Sequence, residues 1–193
     1  MTARQGILVV VSGPSGVGKG TLCRRLVEYY GGQAFLSISC TTRRPGNAEV
    51  DGQNYGFIDR QEFETRSSAN GFIEYAEVFG NYYGTPRKPV EDALAAGRIV
   101  LLEIDVQGGL QVKKQYPLTA MIFILPPRAE DLLVRIEGRD RGEDEQSKKQ
   151  RLETAMHEMA VARQSYEYFV VNDQLDRAVE EMKIIIRKVQ EMI

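Results

Sequence analysis

The sequence predicts an α/β fold: a doubly wound parallel sheet with a phosphate-loop core, an inserted β-rich subdomain and a charged lid. Three observations predict it. Short runs that are apolar at every position recur along the chain, each followed by a stretch with helical spacing. A glycine-rich loop joins the first such run to the first helix. Two segments, within 36–85 and 138–149, break the alternation with polar or charged sequence.

Taken in order, Ile7-Leu-Val-Val-Val11 reads as a strand covered on both faces. Leu22, Leu26, Val27 and Tyr30 then recur at helical spacing, and Gly31-Gly32 stops that helix. Residues 37–85 are rich in Ser, Thr, Gly, Asn and Tyr, with strand-like pieces at Tyr55–Ile58 and Phe72–Tyr75 around a polar helix. The alternation resumes at Ile99–Leu102 with a helix from about Gly108, at Thr119–Leu125 with a helix from about Ala129, and at Phe169–Val171 with a helix from about Leu175. Gly138–Lys149 (GRDRGEDEQSKK) is almost wholly charged, lacks an apolar anchor and reads as a mobile lid or a solvated loop. The organisation is one domain over 1–193: a core of 1–36, 86–137 and 152–193, an inserted subdomain of 37–85 and a lid of 138–151.

At 193 residues the chain suits one domain, and 42% hydrophobic residues fill a core without a disulfide or metal staple. Lys plus Arg number 25 against 27 Asp plus Glu, so a generic basic surface for nucleic acid is excluded and any anion site must be local. The apolar runs Ile7–Val11 and Met121–Leu125 fall far short of the roughly 20 residues of a membrane helix and are too short for a signal-peptide core. We therefore expect a soluble cytoplasmic protein with neither membrane nor nucleic-acid partner. Cys23 and Cys40 have no metal-ligand spacing and read as buried thiols.

Gly13-Pro14-Ser15-Gly16-Val17-Gly18-Lys19 follows a strand and opens a helix. Glycines let backbone N–H groups turn inward, the helix N-terminus adds partial positive charge, and Lys19 would reach the phosphates. The usual pattern places Ser or Thr directly after the lysine, where the hydroxyl meets Mg²⁺; here that residue is Gly20, and Thr21 is the available hydroxyl, for metal or for phosphate.

With that loop, SISCTTRRP (Ser37–Pro45), FIEYAEVFGNYYGTP (Phe72–Pro86), LLEIDVQG (Leu101–Gly108) and VVND (Val170–Asp173), the chain resembles guanylate kinase over nearly its whole length. The resemblance implies a P-loop kinase that moves the γ-phosphoryl of ATP onto GMP, and onto dGMP, giving ADP and GDP, with Mg²⁺ accompanying ATP. It implies an ATP site built from Gly13 through Thr21, with Asn172 and Asp173 bordering the adenine. Arg43, Ser39, Tyr55 and Tyr83 match the family's site for the acceptor phosphate, to which they bring a cation and hydroxyls. The family usually has a second arginine where this chain has Gly46; the adjacent Arg44 points elsewhere if the segment is extended. Glu74 and Glu103 match the guanine-recognition positions, where a carboxylate accepts from N1–H and N2–H, with Ser39 and Thr85 as further partners. The position of Glu103 is often Asp in relatives. Asp105, two residues on at the strand's C-terminal edge, resembles the acidic residue near the magnesium ion.

The lid needs arginines to offset charge on the transferring phosphoryl. Arg135 and Arg139 match those roles, Arg141 competes with Arg139, and Arg151 joins from the next helix. The implied catalytic set is thus Lys19, Arg43, Arg135, Arg139, Arg151 and Asp105. His157, the only histidine, has no acid–base partner at any telling spacing. The reaction needs none, because the acceptor oxygen is already ionised.

Overall fold

The computed structural model describes residues 5–46, 48–128 and 145–192, and the side chains of all of these except 145–151. The chain opens with β1 (Ile7–Ser12), α1 (Lys19–Tyr30) and β2 (Ala34–Leu36). A second group follows: β3 (Cys40–Thr41), β4 (Gly56–Phe57), α2 (Arg60–Ser68), β5 (Phe72–Val78) and β6 (Asn81–Pro86). The first group then resumes with α3 (Arg87–Ala95), β7 (Ile99–Glu103), α4 (Val106–Gln115) and β8 (Ala120–Leu125). It closes with α5 (Glu145–Ser165), β9 (Tyr168–Val171) and α6 (Leu175–Glu191).

The main sheet has the order β2-β7-β1-β8-β9, and every pairing in it is parallel. All six residues of β1 are buried, and they divide by parity as a two-sided sheet requires. Ile7, Val9 and Val11 join Leu22, Cys23 and Leu26 of α1 and Met182 and Ile186 of α6 on one face. Leu8 and Val10 join Val90 of α3, Val112 of α4, and Ala162 and Tyr166 of α5 on the other. The doubly wound parallel core therefore follows from strands that offer apolar side chains in both directions.

The smaller sheet, β4-β3-β6-β5, has its own core of Cys40, Phe63 and Phe72, with the rings of Phe63 and Phe72 stacked 4.5 Å apart. Side chains of the main body satisfy the outer edge of its β5. Gln111 of α4 donates from Nε2 to the Tyr75 carbonyl at 2.9 Å and accepts from the Tyr75 N–H at 3.3 Å. Gln115 donates to the Ile73 carbonyl at 2.6 Å, and Arg87 donates to that of Phe72 at 2.8 Å. An open strand edge is a row of unmet donors and acceptors, so these contacts both cover it and join the two bodies.

The charged segment is not all loop. Glu145–Lys149 lie in the first turns of α5. Glu, Gln and Lys are strong helix formers, and Leu152, Ala155 and Met159 give the helix its apolar anchor further along. Residues 138–144, with the rest of 129–144, lie outside the described residues. Among the described residues no helix is long and apolar enough to cross a membrane. Both cysteines are buried free thiols, as the sequence predicts, and His157 is exposed.

Leu26 is fully buried between the main sheet and α6. Leu26→Ala should therefore lower the unfolding free energy by about 3 kcal/mol, measured from denaturant midpoints with the transition slope unchanged.

Candidate functional site

In an open α/β sheet, ligands gather beyond the carboxyl ends of strands where the connections diverge in direction. Here that place is the crevice between β1 and β7, whose paired register ends at Val11 and Glu103. The phosphate loop leaves from β1. Gly18 adopts φ 98° at the N-terminus of α1, a conformation that favours glycine, and a Cβ there would lie 2.5 Å from the amide nitrogen of Asn172. Asn172 itself donates to the Val17 carbonyl at 2.8 Å, so it braces the loop from the end of β9. Lys19 folds over the loop, donating from Nζ to the Gly13 carbonyl at 2.6 Å and to that of Pro14 at 3.2 Å.

On the β7 side, Asp105 caps α4 by accepting the Gly108 N–H at 2.8 Å. Ser12 fastens the two banks: its hydroxyl donates to the Ile104 carbonyl at 2.8 Å and receives the Tyr166 hydroxyl at 2.7 Å. Sequence reasoning missed both residues, since neither a serine ending a strand nor a tyrosine ending a helix is a signal by itself. Glu158, also missed, lies on the same face of α5 as Tyr166 and is pushed up to about 7 by burial, opposed by Lys19 and reinforced by Asp105.

The inserted sheet brings the other polar groups together. Glu74 and Thr85 face each other across β5 and β6, and the buried Thr85 hydroxyl donates to Glu74 Oε1 at 2.6 Å. The Glu74 side chain packs directly over Gly108, where a Cβ would overlap it. Burial pushes Glu74 up to about 7 against the pull of the Thr85 hydrogen bond, and Asp105 adds to the rise.

Arg43 lies in an aromatic corner, donating from Nε to the Tyr83 hydroxyl at 3.2 Å, with its guanidinium 5.6 Å from the centre of the Tyr55 ring. Burial pushes the Tyr55 hydroxyl up to about 12, and Glu103 is the next contributor. Arg43 also donates from Nη2 to Glu49 Oε1 at 2.8 Å, while Glu49 Oε2 accepts the Gly46 N–H at 2.7 Å. Glu49 escaped sequence reasoning; only its opposite charge, six residues from Arg43, hinted at the pairing. Arg44 is exposed and offers its carbonyl to Arg43 at 2.8 Å.

The structure thus groups Arg43, Tyr55 and Tyr83, pairs Glu74 with Thr85, and sets Glu103 and Asp105 at the loop's edge. Ser39 contributes its carbonyl to the Gly56 N–H. Asp173 accepts from the Gln174 N–H and pairs with Arg177 at 2.8 Å, which is turn and helix-start chemistry. Thr21 is exposed, and Arg24 donates to its hydroxyl at 3.5 Å. Arg135, Arg139 and Arg141 lie outside the described residues; Arg151 lies in α5, but its side chain is outside them.

Among the described residues no three acidic, histidine or cysteine groups converge as a metal cage. The donor set of Glu103 and Asp105 beside a phosphate loop fits Mg²⁺, which keeps several waters and is held by one or two carboxylates plus substrate phosphates.

The family model described as guanylate kinase matches residues 5–189. A guanylate kinase of Clostridium acetobutylicum is 46% identical over 184 residues, which are 95% of this chain and 86% of that protein. One from Synechocystis is 47% identical over 185 residues, covering 96% of this chain and 95% of the relative. The crystal structure of guanylate kinase from Anaplasma phagocytophilum superposes with a TM-score of 0.81 at 34% identity, covering 98% of this chain and 89% of that one. A gluconokinase from Sinorhizobium meliloti shares the fold at a TM-score of 0.52 and 18% identity. With its phosphate loop, its paired Glu74 and Thr85 and this extent of similarity, the chain belongs to the guanylate kinase family.

Proposed function

We infer that this chain transfers the γ-phosphoryl group of ATP to GMP, giving ADP and GDP. The observation that carries the reading is the opposition, across one crevice, of a lysine-bearing phosphate loop and a buried carboxylate held by a threonine beside an arginine–tyrosine corner. The loop from Gly13 to Thr21 holds the donor phosphates on its N–H groups and Lys19, and Asn172 keeps the loop in shape. Arg43, Tyr55 and Tyr83, with Ser39, hold the acceptor phosphate. Glu74 accepts from guanine N1–H and N2–H, which adenine does not offer. Residues 37–85 act as the acceptor-binding subdomain and 138–151 as the lid. Arg135, Arg139 or Arg141, and Arg151, bring positive charge to the transferring group.

Mg²⁺ accompanies the ATP, near Asp105, and when bound it neutralises charge on the β- and γ-phosphate oxygens. The protein's own work is positioning and charge compensation. The acceptor oxygen is already ionised, so no side chain removes a proton, and exclusion of water by closure protects the transfer from hydrolysis.

A coupled ADP-release assay with ATP and Mg²⁺ should give turnover with GMP and little with AMP, UMP or CMP. Equal use of AMP would overturn the guanine assignment. Lys19→Ala should leave the melting temperature near the parent's and cut kcat by about 10² or more, the loss of one electrostatic donor to the transferring group.

Glu74 gives a pH test. Guanine needs the ionised carboxylate, and in the free protein that form appears only as pH rises through about 7. The KM for GMP should therefore be about tenfold higher at pH 6 than at pH 8, while the KM for ATP changes little. Glu74→Gln should abolish the Glu74 part of that slope and raise the KM for GMP at pH 8 about thirtyfold, a loss of about 2 kcal/mol. Stability runs the other way. A carboxyl raised on folding is favoured protonated, so its ionisation weakens the unliganded fold as pH climbs from about 4.5 through about 7. Glu74→Gln should accordingly gain stability on the parent at pH 8 but not at pH 4, as read by denaturant midpoints without nucleotide.

A further inference from the structure

A regular strand turns successive side chains to opposite faces, and β5 breaks that rule just before Glu74. Phe72 pairs with Pro86 of β6 and Glu74 with Thr85, so Ile73 is one residue more than β6 matches. Such a bulge re-aims the side chains that follow it. Phe72 and Tyr75 both pack on the ring of Phe63, with centres 4.5 and 6.0 Å away. Ile73 and Glu74, adjacent in sequence, are both turned to the main body: Ile73 joins its core and the Glu74 carboxylate lies over Gly108 of α4. Without the extra residue, Glu74 would share a face with Phe72 and point toward the aromatic core of the small sheet.

The two peptide groups that flank Ile73 are held from outside the sheet. Arg87 donates from Nη2 to the Phe72 carbonyl at 2.8 Å, and Gln115 donates from Nε2 to the Ile73 carbonyl at 2.6 Å. Arg87 Nη2 also donates to Gln115 Oε1 at 3.3 Å, which fixes the end of the amide that is turned to Ile73. Arg87 is itself anchored, donating from Nε to the Asn70 carbonyl at 2.9 Å and pairing with Glu91 at 3.2 Å. The Ile73 carbonyl belongs to the peptide that leads into Glu74, so its orientation sets the direction in which that side chain leaves. Helix α4 therefore meets Glu74 from both ends. Gly108 in its first turn makes room for the carboxylate, and Gln115, its last residue, fixes the backbone that delivers it.

We propose that Gln115, oriented by Arg87, is a specificity-positioning residue: by holding the bulge at Ile73 it aims Glu74 at the N1–H and N2–H edge of guanine. It thereby sets the preference for a base that carries a 2-amino group. A carboxylate that accepts both bonds must lie in the plane of the base, so a small tilt of the Glu74 backbone weakens the pair. Gln115 acts only through Glu74 and touches neither nucleotide. The proposal deepens the guanine role given to Glu74 above and rests on it.

The test compares GMP with inosine monophosphate, which keeps N1–H and lacks the 2-amino group. Initial rates with each acceptor, and with ATP varied, are measured for the parent, Gln115→Met and Gln115→Glu. Glutamate keeps the shape of glutamine and its contact with Arg87 but offers no N–H. Both variants should raise the KM for GMP about fivefold, the worth of one hydrogen bond, with kcat and the KM for ATP each changed less than about twofold. The ratio of kcat/KM for GMP to that for inosine monophosphate should fall by about threefold or more. Arg87→Met should lower the same ratio, and the double variant with Gln115→Met should lower it by less than the product of the two single losses, since Arg87 acts in part through Gln115. A fall in melting temperature with the ratio unchanged would reduce Gln115 to a structural edge contact and overturn the proposal. A Gln115→Glu variant with the parent's KM for GMP, or equal rises in KM for GMP and ATP, would overturn it as well. A parent that uses the two acceptors equally would instead overturn the guanine role of Glu74, which separates the two failures.

Discussion

The site depends on the place where β1 and β7 part company. Up to Val11 and Glu103 the two strands are locked by parallel backbone pairing; beyond them one strand runs into the phosphate loop at Gly13 and the other into α4 at Val106. On the proposed function, the separation of the two banks sets the distance between a donor bound on one and an acceptor recognised from the other. Ser12 holds that separation with a side chain where the backbone ladder has ended, donating to the Ile104 carbonyl at 2.8 Å. Tyr166 donates to Ser12 at 2.7 Å, which ties α5 to the same point. Burial holds the Tyr166 hydroxyl above the ordinary phenol range, so it remains a donor throughout the neutral range. These hydrogen bonds are buried and directional, and an error of 1 Å at such a point can cost about a hundredfold in a positioning-dominated reaction.

The start of α4 shows how closely the acceptor side is fitted to the core. Gly108 and Gly109 lie side by side in its first turn: the Glu74 carboxylate occupies the space over Gly108 and the Tyr166 hydroxyl that over Gly109. A methyl group at either would push away one of the two. The inserted sheet therefore packs a buried side chain, Glu74, directly against the first turn of a main-body helix. Gln111 and Gln115, further along α4, hold the backbone of β5 in matching register.

Four strands of the parallel core were legible because each is apolar on both faces, and that pattern allows few other arrangements; β2, only three residues long, was not. The phosphate loop was legible from glycine spacing before a helix, and the inserted sheet from its change in composition. What the sequence hid were contacts between residues far apart in the chain. Tyr166 and Ser12 are separated by 154 positions, and no local pattern announces their hydrogen bond. Glu49 is near Arg43 in sequence, but the turn that folds it back depends on its acceptance of the Gly46 N–H. The extent of α5 was understated because a charged run reads as loop until its later apolar anchors are known.

On the proposed function, the cations that meet phosphate are already engaged with protein oxygens in the unliganded chain. Lys19 donates to the Gly13 and Pro14 carbonyls, and Arg43 to Glu49, Tyr83 and the Arg44 carbonyl. Each contact keeps a long, flexible side chain near the geometry it needs, so less rotamer entropy remains to be lost on binding. For Lys19 the exchange favours the ligand, since a phosphate oxygen carries charge and a carbonyl oxygen does not. For Arg43 the contest is between two anions, and it turns on geometry. Glu49 takes one N–H of the guanidinium through Nη2, while Nε and Nη1 donate to neutral oxygens. A phosphate can therefore displace the neutral partners and leave the Glu49 contact in place. On the proposed function Glu49 then serves as a brace for the guanidinium, and a Cβ at position 46 would lie 3.2 Å from its Oε2.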